Sequence, residues 1–265
     1  MTPFFRLVVA ENARQIADAQ RVRRRVYVEE EGLLDAATCS GERERDDHDE
    51  AEGTTHLLVY AGSEAVGTLR LLRAGASTPS APSGLELESK FILNGFSAGR
   101  IVAAEVTRYC VLQRYRGTRA AALLFAGLLA ESARSGVTHW VAGANMQTDS
   151  AEDAAIAHQL VTRLNLSSDR FSAEPRRIEP FPARARRFLY DGKQRARARE
   201  GDYESLELPS TLSLFATRLG ARYMGAPVYD SYFNVFALPL VAVVSVSAKV
   251  RVGSKRAHTN HLRVE

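Results

Sequence analysis

The stretch "AAEVTRYCVLQRYRG", Ala103 to Gly117, sets Glu105 and Arg108 three residues apart in an otherwise apolar run. A charge without a partner is costly inside a sheet, so each of the two needs an ion pair or a chemical task. A carboxylate so placed can take a proton. The plainer reading of the pair is a buried salt bridge that fixes strand register. By the two-residue period of a strand, Arg108 is expected on the face opposite Glu105 unless a bulge intervenes. Upstream, "ERDDHD" supplies Glu44, Asp46 and Asp49 in a polar segment. Arg70 ends an apolar run beside Arg73, and its fork can grip a carboxylate, that of a substrate or that of Asp46 or Asp49. Arg23 and Arg25 lie two apart in a helical stretch and cannot share a face, so at most one is expected to reach a cleft.

These groups need elements to hold them. "FFRLVVA" (Phe4–Ala10) reads as a strand, and Glu11–Gly32 as an amphipathic helix with Ile16, Ala19, Val22, Val26 and Tyr27 near one face. Tyr27 is expected in the core. Leu33–Gly53 is an acid-rich loop, and "HLLVYAGSEAVGTLRLL" is a hairpin around the Gly62-Ser63 turn. A Pro/Ser/Gly loop, Ala74–Gly84, precedes the strand Ile101–Val111 and the helix Gly117–Gly136. "VTHWVAGAN" is a strand and "SAEDAAIAHQLVTRL" a helix with a serine N-cap. Residues 170–207 read as basic and irregular, followed by the helix "PSTLSLFATRLG", two strands, and a basic tail at 251–265 holding His258 and His261. The expected organisation is one domain over 1–250, with 170–207 inserted before its last strands.

Composition narrows the classes. Of 265 residues, 45% are hydrophobic and 25% charged, as in an ordinary soluble globular chain. Cys39 and Cys110 are the only cysteines and form no CxxC spacing, so a disulfide framework or zinc site is not expected and a reducing cytoplasm fits. Phe4–Ala10 is too short and too interrupted by Arg6 for a signal peptide. The longest apolar run, from Val235, falls short of a bilayer span and contains Pro239. The pI of 9.2 invites a nucleic-acid reading, yet no zinc finger, RNP-like strand or recognition helix accompanies it. Nor is there a G-x-S-x-G elbow or an H-E-x-x-H site. Cys110 reads as a buried apolar thiol, not an acyl-carrying nucleophile.

Several motifs, taken in order, resemble the GNAT acyltransferases. "RRRVYVEEEG" is similar to the R-x-R-V-F-V-E-E segment of ornithine lipid N-acyltransferases, through Arg23, Arg25 and Tyr27. "ERDDHD" matches the E-x-D-x-x-D of acyl-homoserine-lactone synthases through Glu44, Asp46 and Asp49. The hairpin, carrying Arg70, resembles the H-L-L-V…V-G-T-x-R-L-L of the ornithine enzymes, and "EVTRYCVLQRYR" their E-L-G-R-S-C-V-x-x-x-Y-R. The segment from Leu208 is similar to their C-terminal L-P-P-L-x-K-G-Y-x-R-L-G-A.

The resemblance implies a mixed α/β (α+β) GNAT-like fold, a central twisted sheet flanked by helices. It implies that Glu105 takes a proton from an incoming ammonium, directly or through water, because only the free amine is a nucleophile. Arg108 would hold the acidic loop and belong with Arg23, Arg25, Glu44, Asp46, Asp49 and Arg70 to the substrate-binding set, and Tyr27 would line the acyl pocket or fill the core. The family's Q/R-x-x-G-x-G/A turn, whose amides hold the coenzyme A pyrophosphate, corresponds to Arg114-Tyr115-Arg116-Gly117-Thr118-Arg119. Gly117 fits, but Arg119 is bulky where the family has a small residue. That favours the single phosphate of a carrier-borne phosphopantetheine thioester, with no tightly bound cofactor. Acidic acyl carrier protein would dock on Arg116, Arg119 and the 176–199 arginines. The implied function is transfer of a long acyl chain from acyl carrier protein to the amine of an amino acid or lyso-aminolipid. A peripheral membrane contact is admitted, and no nucleic acid is expected. The alternatives are a lactone synthase using S-adenosylmethionine and a non-catalytic carrier- or nucleic-acid-binding module. The lactone synthase is disfavoured because "EEEGLLD" lacks the tryptophan of those enzymes, the sole tryptophan being Trp140.

Overall fold

A computed structural model describes residues 4–39, 41–74, 84–97, 101–177 and 180–244. The expected tail at 251–265, with His258 and His261, and most of the loop 74–84 lie outside the described residues. The chain order is β1 (Phe5–Val9), α1 (Ala13–Arg24), β2 (Thr54–Ala61), β3 (Glu64–Arg73), β4 (Phe91–Asn94), β5 (Ala103–Val111) and α2 (Arg119–Arg134). Then follow β6 (His139–Asn145), α3 (Ala151–Arg163), β7 (Ser172–Pro175), α4 (Gly192–Arg199), α5 (Ser210–Leu219), β8 (Arg222–Tyr223), β9 (Val228–Asp230) and β10 (Val235–Val243). The elements form two units: residues 1–76, 104–138 and 244–265 make one, 77–103 and 139–243 the other.

In the first unit β1, β2, β3 and β5 pair antiparallel in that order. Helix α1 packs on β2 and β3, while α2 packs on β1, β2 and β3. The helices take opposite faces. Thr55 meets Glu131 of α2, whereas its neighbour His56 turns to the acidic segment beneath α1, as strand alternation requires. Gly67 and Gly127 let α2 approach closely, since a Cβ at Gly127 would stand 2.8 Å from Leu7. Asn12 caps α1 by accepting from the Gln15 amide. The expected single helix over Glu11–Gly32 instead changes character, and Arg25–Glu30 continues α1 in wider π turns, a form that concentrates at functional sites.

Two register shifts aim the polar side chains. Around the Gly62-Ser63 turn, Ala61 pairs Glu64 and Tyr60 pairs Ala65, but Val59 pairs Gly67. Val66 is thus an extra residue that brings His56 opposite Arg70. Between β3 and β5, Arg70 pairs Thr107 and Thr68 pairs Cys110, so β5 carries the extra residue. Arg108 absorbs it with a left-handed φ of 54°. This bulge overturns the expectation that Arg108 faces away from Glu105, because it restarts the alternation and returns Arg108 to the side of Thr107.

In the second unit β10 pairs antiparallel with β6, β8 and β9. Three C-terminal strands therefore stand where two were expected. The short pair β4–β7, absent from the sequence reading, covers a core of Leu85, Leu87, Phe91, Val141, Phe171 and Val241. The segment 170–207 is not irregular throughout, since it contains β7 and α4. Its Tyr190, Ala198 and Leu206 pack on Ile156 and Leu160 of α3. Asp191 and Gln194 form a reciprocal cap on α4, which starts a helix that has little apolar periodicity. Among the described residues no helix is long and apolar enough to cross a membrane.

Candidate active site

One turn apart on α1, Gln20 and Arg23 share the face pressed on the sheet, and both are buried. The Arg23 fork meets Asp49 with two 2.6 Å hydrogen bonds, Nη1 to Oδ1 and Nη2 to Oδ2. Its Nη2 also donates to the Glu44 carbonyl at 2.6 Å, and its Nε faces the Glu44 carboxylate. Gln20 donates to Asp49 Oδ2 at 3.0 Å. From β3, Arg70 Nη1 reaches Asp46 Oδ1 at 2.5 Å and Asp49 Oδ1 at 2.9 Å. Its Nε donates to Thr107 Oγ1 at 2.9 Å. From the β5 bulge, Arg108 Nε reaches Glu44 Oε1 at 3.2 Å and Nη2 reaches Asp46 Oδ2 at 2.5 Å.

The six charges close a ring. Glu44 joins Arg23 to Arg108, Asp46 joins Arg108 to Arg70, and Asp49 joins Arg70 to Arg23. Three cations and three anions cancel, which is how so many charges tolerate burial. Burial pushes the Asp49 carboxyl up, but the Arg23 fork and the charges of Arg23 and Arg70 outweigh it and hold the group well below the usual carboxylate range. Burial likewise works against the Arg23 charge, and Asp49 and Glu44 override it. Of the two partners open to Arg70, a substrate carboxylate or the acids Asp46 and Asp49, the structure shows the acids: Arg70 is wholly buried and holds Asp46, Asp49 and Thr107. The acids expected to meet an acceptor likewise bind arginines, and of the three only Asp46 keeps a partly exposed side chain.

Glu105 lies two residues before Thr107, in regular pairing with Leu72, so it shares the face of β5 that carries the ring. It is 3% exposed. Tyr27 is buried, and burial pushes the Cys110 thiol up to about 12. Cys110 is therefore a protonated, packed thiol.

Sequence reading missed Gln20, Thr107 and His56. His56 Nε2 lies 3.0 Å from the Asp49 carbonyl, so the proton sits on Nε2. Nδ1 is buried without a hydrogen-bond partner among the described residues. Burial, reinforced by the charges of Arg23 and Arg70, lowers the His56 pKa against the opposing pull of Asp49. The unfolded chain thus binds this proton from pH 6.5 downward while the folded chain does not, and stability falls as pH drops through that window until the folded group also titrates. His56→Gln is expected to flatten this part of the stability profile and leave the carboxylate-driven loss at lower pH, as read by urea unfolding at a series of pH values.

Arg25 is partly exposed and pairs with Glu64 at 3.0 Å, so of Arg23 and Arg25 only the former enters the ring. Glu64 also takes Arg114 and the Tyr115 hydroxyl. Arg116 meets Glu31 at 2.8 Å and Glu30 at 3.5 Å, and the Gln113 amide donates to Glu30. The basic turn is therefore largely neutralised by carboxylates from the π segment and the start of β3. Gly117 takes a φ of 80°, and Thr118 caps α2, which begins at Arg119.

Residues 22–126, which hold the ring, Glu105 and this turn, match the acetyltransferase (GNAT) domain family. An N-acyl amino acid synthase from uncultured soil microbes, FeeM, superposes with a TM-score of 0.52 over 92% of each chain at 16% identity. The chain has the GNAT fold. Over 130 residues the chain is 38% identical to the L-ornithine N(alpha)-acyltransferase of Agrobacterium fabrum. That stretch spans 45% of the chain and 43% of the relative, less than half the relative's length.

Proposed function

We propose that the chain is an N-acyltransferase that moves a long acyl group from an acyl carrier protein thioester to the amine of an amino acid or lyso-aminolipid. The observation that carries this reading is the buried Glu105 on the ring-bearing face of β5. The names of both relatives support it, since one acylates the α-nitrogen of ornithine and the other makes N-acyl amino acids. The amine lone pair attacks the thioester carbonyl carbon, and Glu105 takes the ammonium proton directly or through water. The tetrahedral adduct gives its extra N–H proton to water and expels the thiolate, which takes back the proton held by Glu105 and leaves as the thiol. The ring's part is to hold β5, β3 and α1 in register so that Glu105 has one position. On this reading Arg23, Arg70, Arg108, Glu44 and Asp49 are positioning residues.

Arg119 supports the carrier donor, since its bulk at the start of α2 suits one phosphate better than a pyrophosphate. Arg116 would exchange Glu31 for that phosphate. Acyl carrier thioester is expected to be used far better than acyl-coenzyme A, with an apparent KM that rises with salt as charges are screened. Initial rates with both donors at several ionic strengths test this. Equal use of the two without a salt effect would remove the carrier from the proposal.

A further inference from the structure

Residues 180–199 hold seven basic residues and one acid, Asp191. Within them "FPARARRF" sets Arg184, Arg186 and Arg187 between Phe181 and Phe188. The loop is built rather than loosely draped. Buried Asp149 accepts from the Arg186 and Arg187 amides at 2.8–3.1 Å. The Thr148 hydroxyl donates to the Arg187 carbonyl, and buried Asp153 accepts from the Leu189 amide at 2.6 Å. Phe181 leans its ring on Phe236, and Arg195 stacks on Phe188.

This anchoring has an electrostatic result. The acids beside the loop are spent on its backbone amides, with Asp153 also facing Arg195 at 3.5 Å. On α4, Arg197 and Arg199 have Asp202 and Glu152. Arg184 and Arg186 are exposed, and no carboxylate lies within ion-pair distance of either among the described residues. Beside them Phe181 is 46% and Phe188 56% exposed. Water disfavours two open aromatic rings at a fixed cationic loop, and a bilayer interface accepts both features together.

We infer that the Phe181–Phe188 loop is a docking surface for anionic lipid, with Phe188 entering the headgroup boundary and Arg184 and Arg186 meeting lipid phosphates. An acidic protein surface would answer the arginines alone. The inference does not depend on the acyl-transfer reading, and it gives the insertion a partner other than the carrier.

The test is flotation of the full-length protein with vesicles of mixed phosphatidylcholine and phosphatidylglycerol, against vesicles of phosphatidylcholine alone. Binding is expected only to the anionic vesicles and should weaken with salt. Because the whole chain is basic, the loop variants decide. Each arginine near an anionic surface contributes about fivefold in partitioning, so Arg184→Gln with Arg186→Gln should lower binding by about 25-fold. Phe188→Ala should lower it with both arginines in place, and all variants should keep the wild-type thermal midpoint. Vesicle binding that neither change reduces would overturn the inference. So would loss on arginine replacement with Phe188→Ala unaffected, which would leave only non-specific charge. Absent vesicle binding, together with carrier-protein affinity lost in the same variants, would assign the loop to the carrier.

Discussion

Glu105→Gln is expected to fold with the wild-type unfolding midpoint and lose about 10²–10⁴-fold in kcat, the range that a positioned general base contributes. The amide keeps the shape of the side chain on the ring-bearing face of β5 and removes its capacity to take the ammonium proton. The loss should shrink at high pH, where more of the acceptor is already free amine. Steady-state rates over a pH series, with circular dichroism as the folding control, separate the cases. A variant with near wild-type turnover throughout would move the base elsewhere, a water held by backbone being the first candidate. A variant that fails to fold would make Glu105 a structural residue.

The largest effect on stability is expected at Asp49. Its side chain is 2% exposed and faces two buried arginines, with Gln20 as a third donor. Asp49→Asn would leave Arg23 and Arg70 short of an anion, at a cost of about 3–5 kcal/mol. Asp46 also bridges two arginines, but its side chain is 18% exposed and water can replace part of what is lost. Asp46→Asn is expected to cost less, about 1.5–3 kcal/mol. Urea unfolding above pH 7 compares them without interference from His56. Equal losses would show that the ring shares its charge so widely that burial of one member does not set its weight. An acceptor KM that rises in Asp46→Asn alone would return that residue to substrate contact.

Much of this was legible from sequence, and the failures are instructive. All six ring residues stand out in the sequence, as charges in or beside apolar runs or within one acidic motif. Only distances decide whether Arg70 holds a substrate or Asp46 and Asp49. Strand periodicity alone puts Arg108 on the opposite face, and nothing in "EVTRYC" announces the bulge that was needed to reverse it. The residue in the left-handed region is an arginine, where glycine or asparagine would have served as a signal. The same cause hid His56. Counting back from the Gly62-Ser63 turn without the Val66 bulge sets His56 against Leu69, which points elsewhere. In the insertion, α4 lacks an apolar stripe, although the D-x-x-Q cap at Asp191 was there to be read. The π turns after Arg24 have no sequence signature, yet they carry Glu30 and Glu31 to the basic turn and so decide its charge.

The ring also bears on the order in which its unit assembles. Its members come from α1, the acidic segment, β3 and β5, and no two neighbours around it are close in sequence. While any one of these segments is absent, at least two charges gain more from water than from an incomplete circuit. Desolvation must therefore come late and all at once, after the strands have paired and α1 has settled. The circuit acts as a catch that closes only on a correctly registered sheet, and a chain misaligned by one residue at either bulge would be left holding buried charge and would reopen.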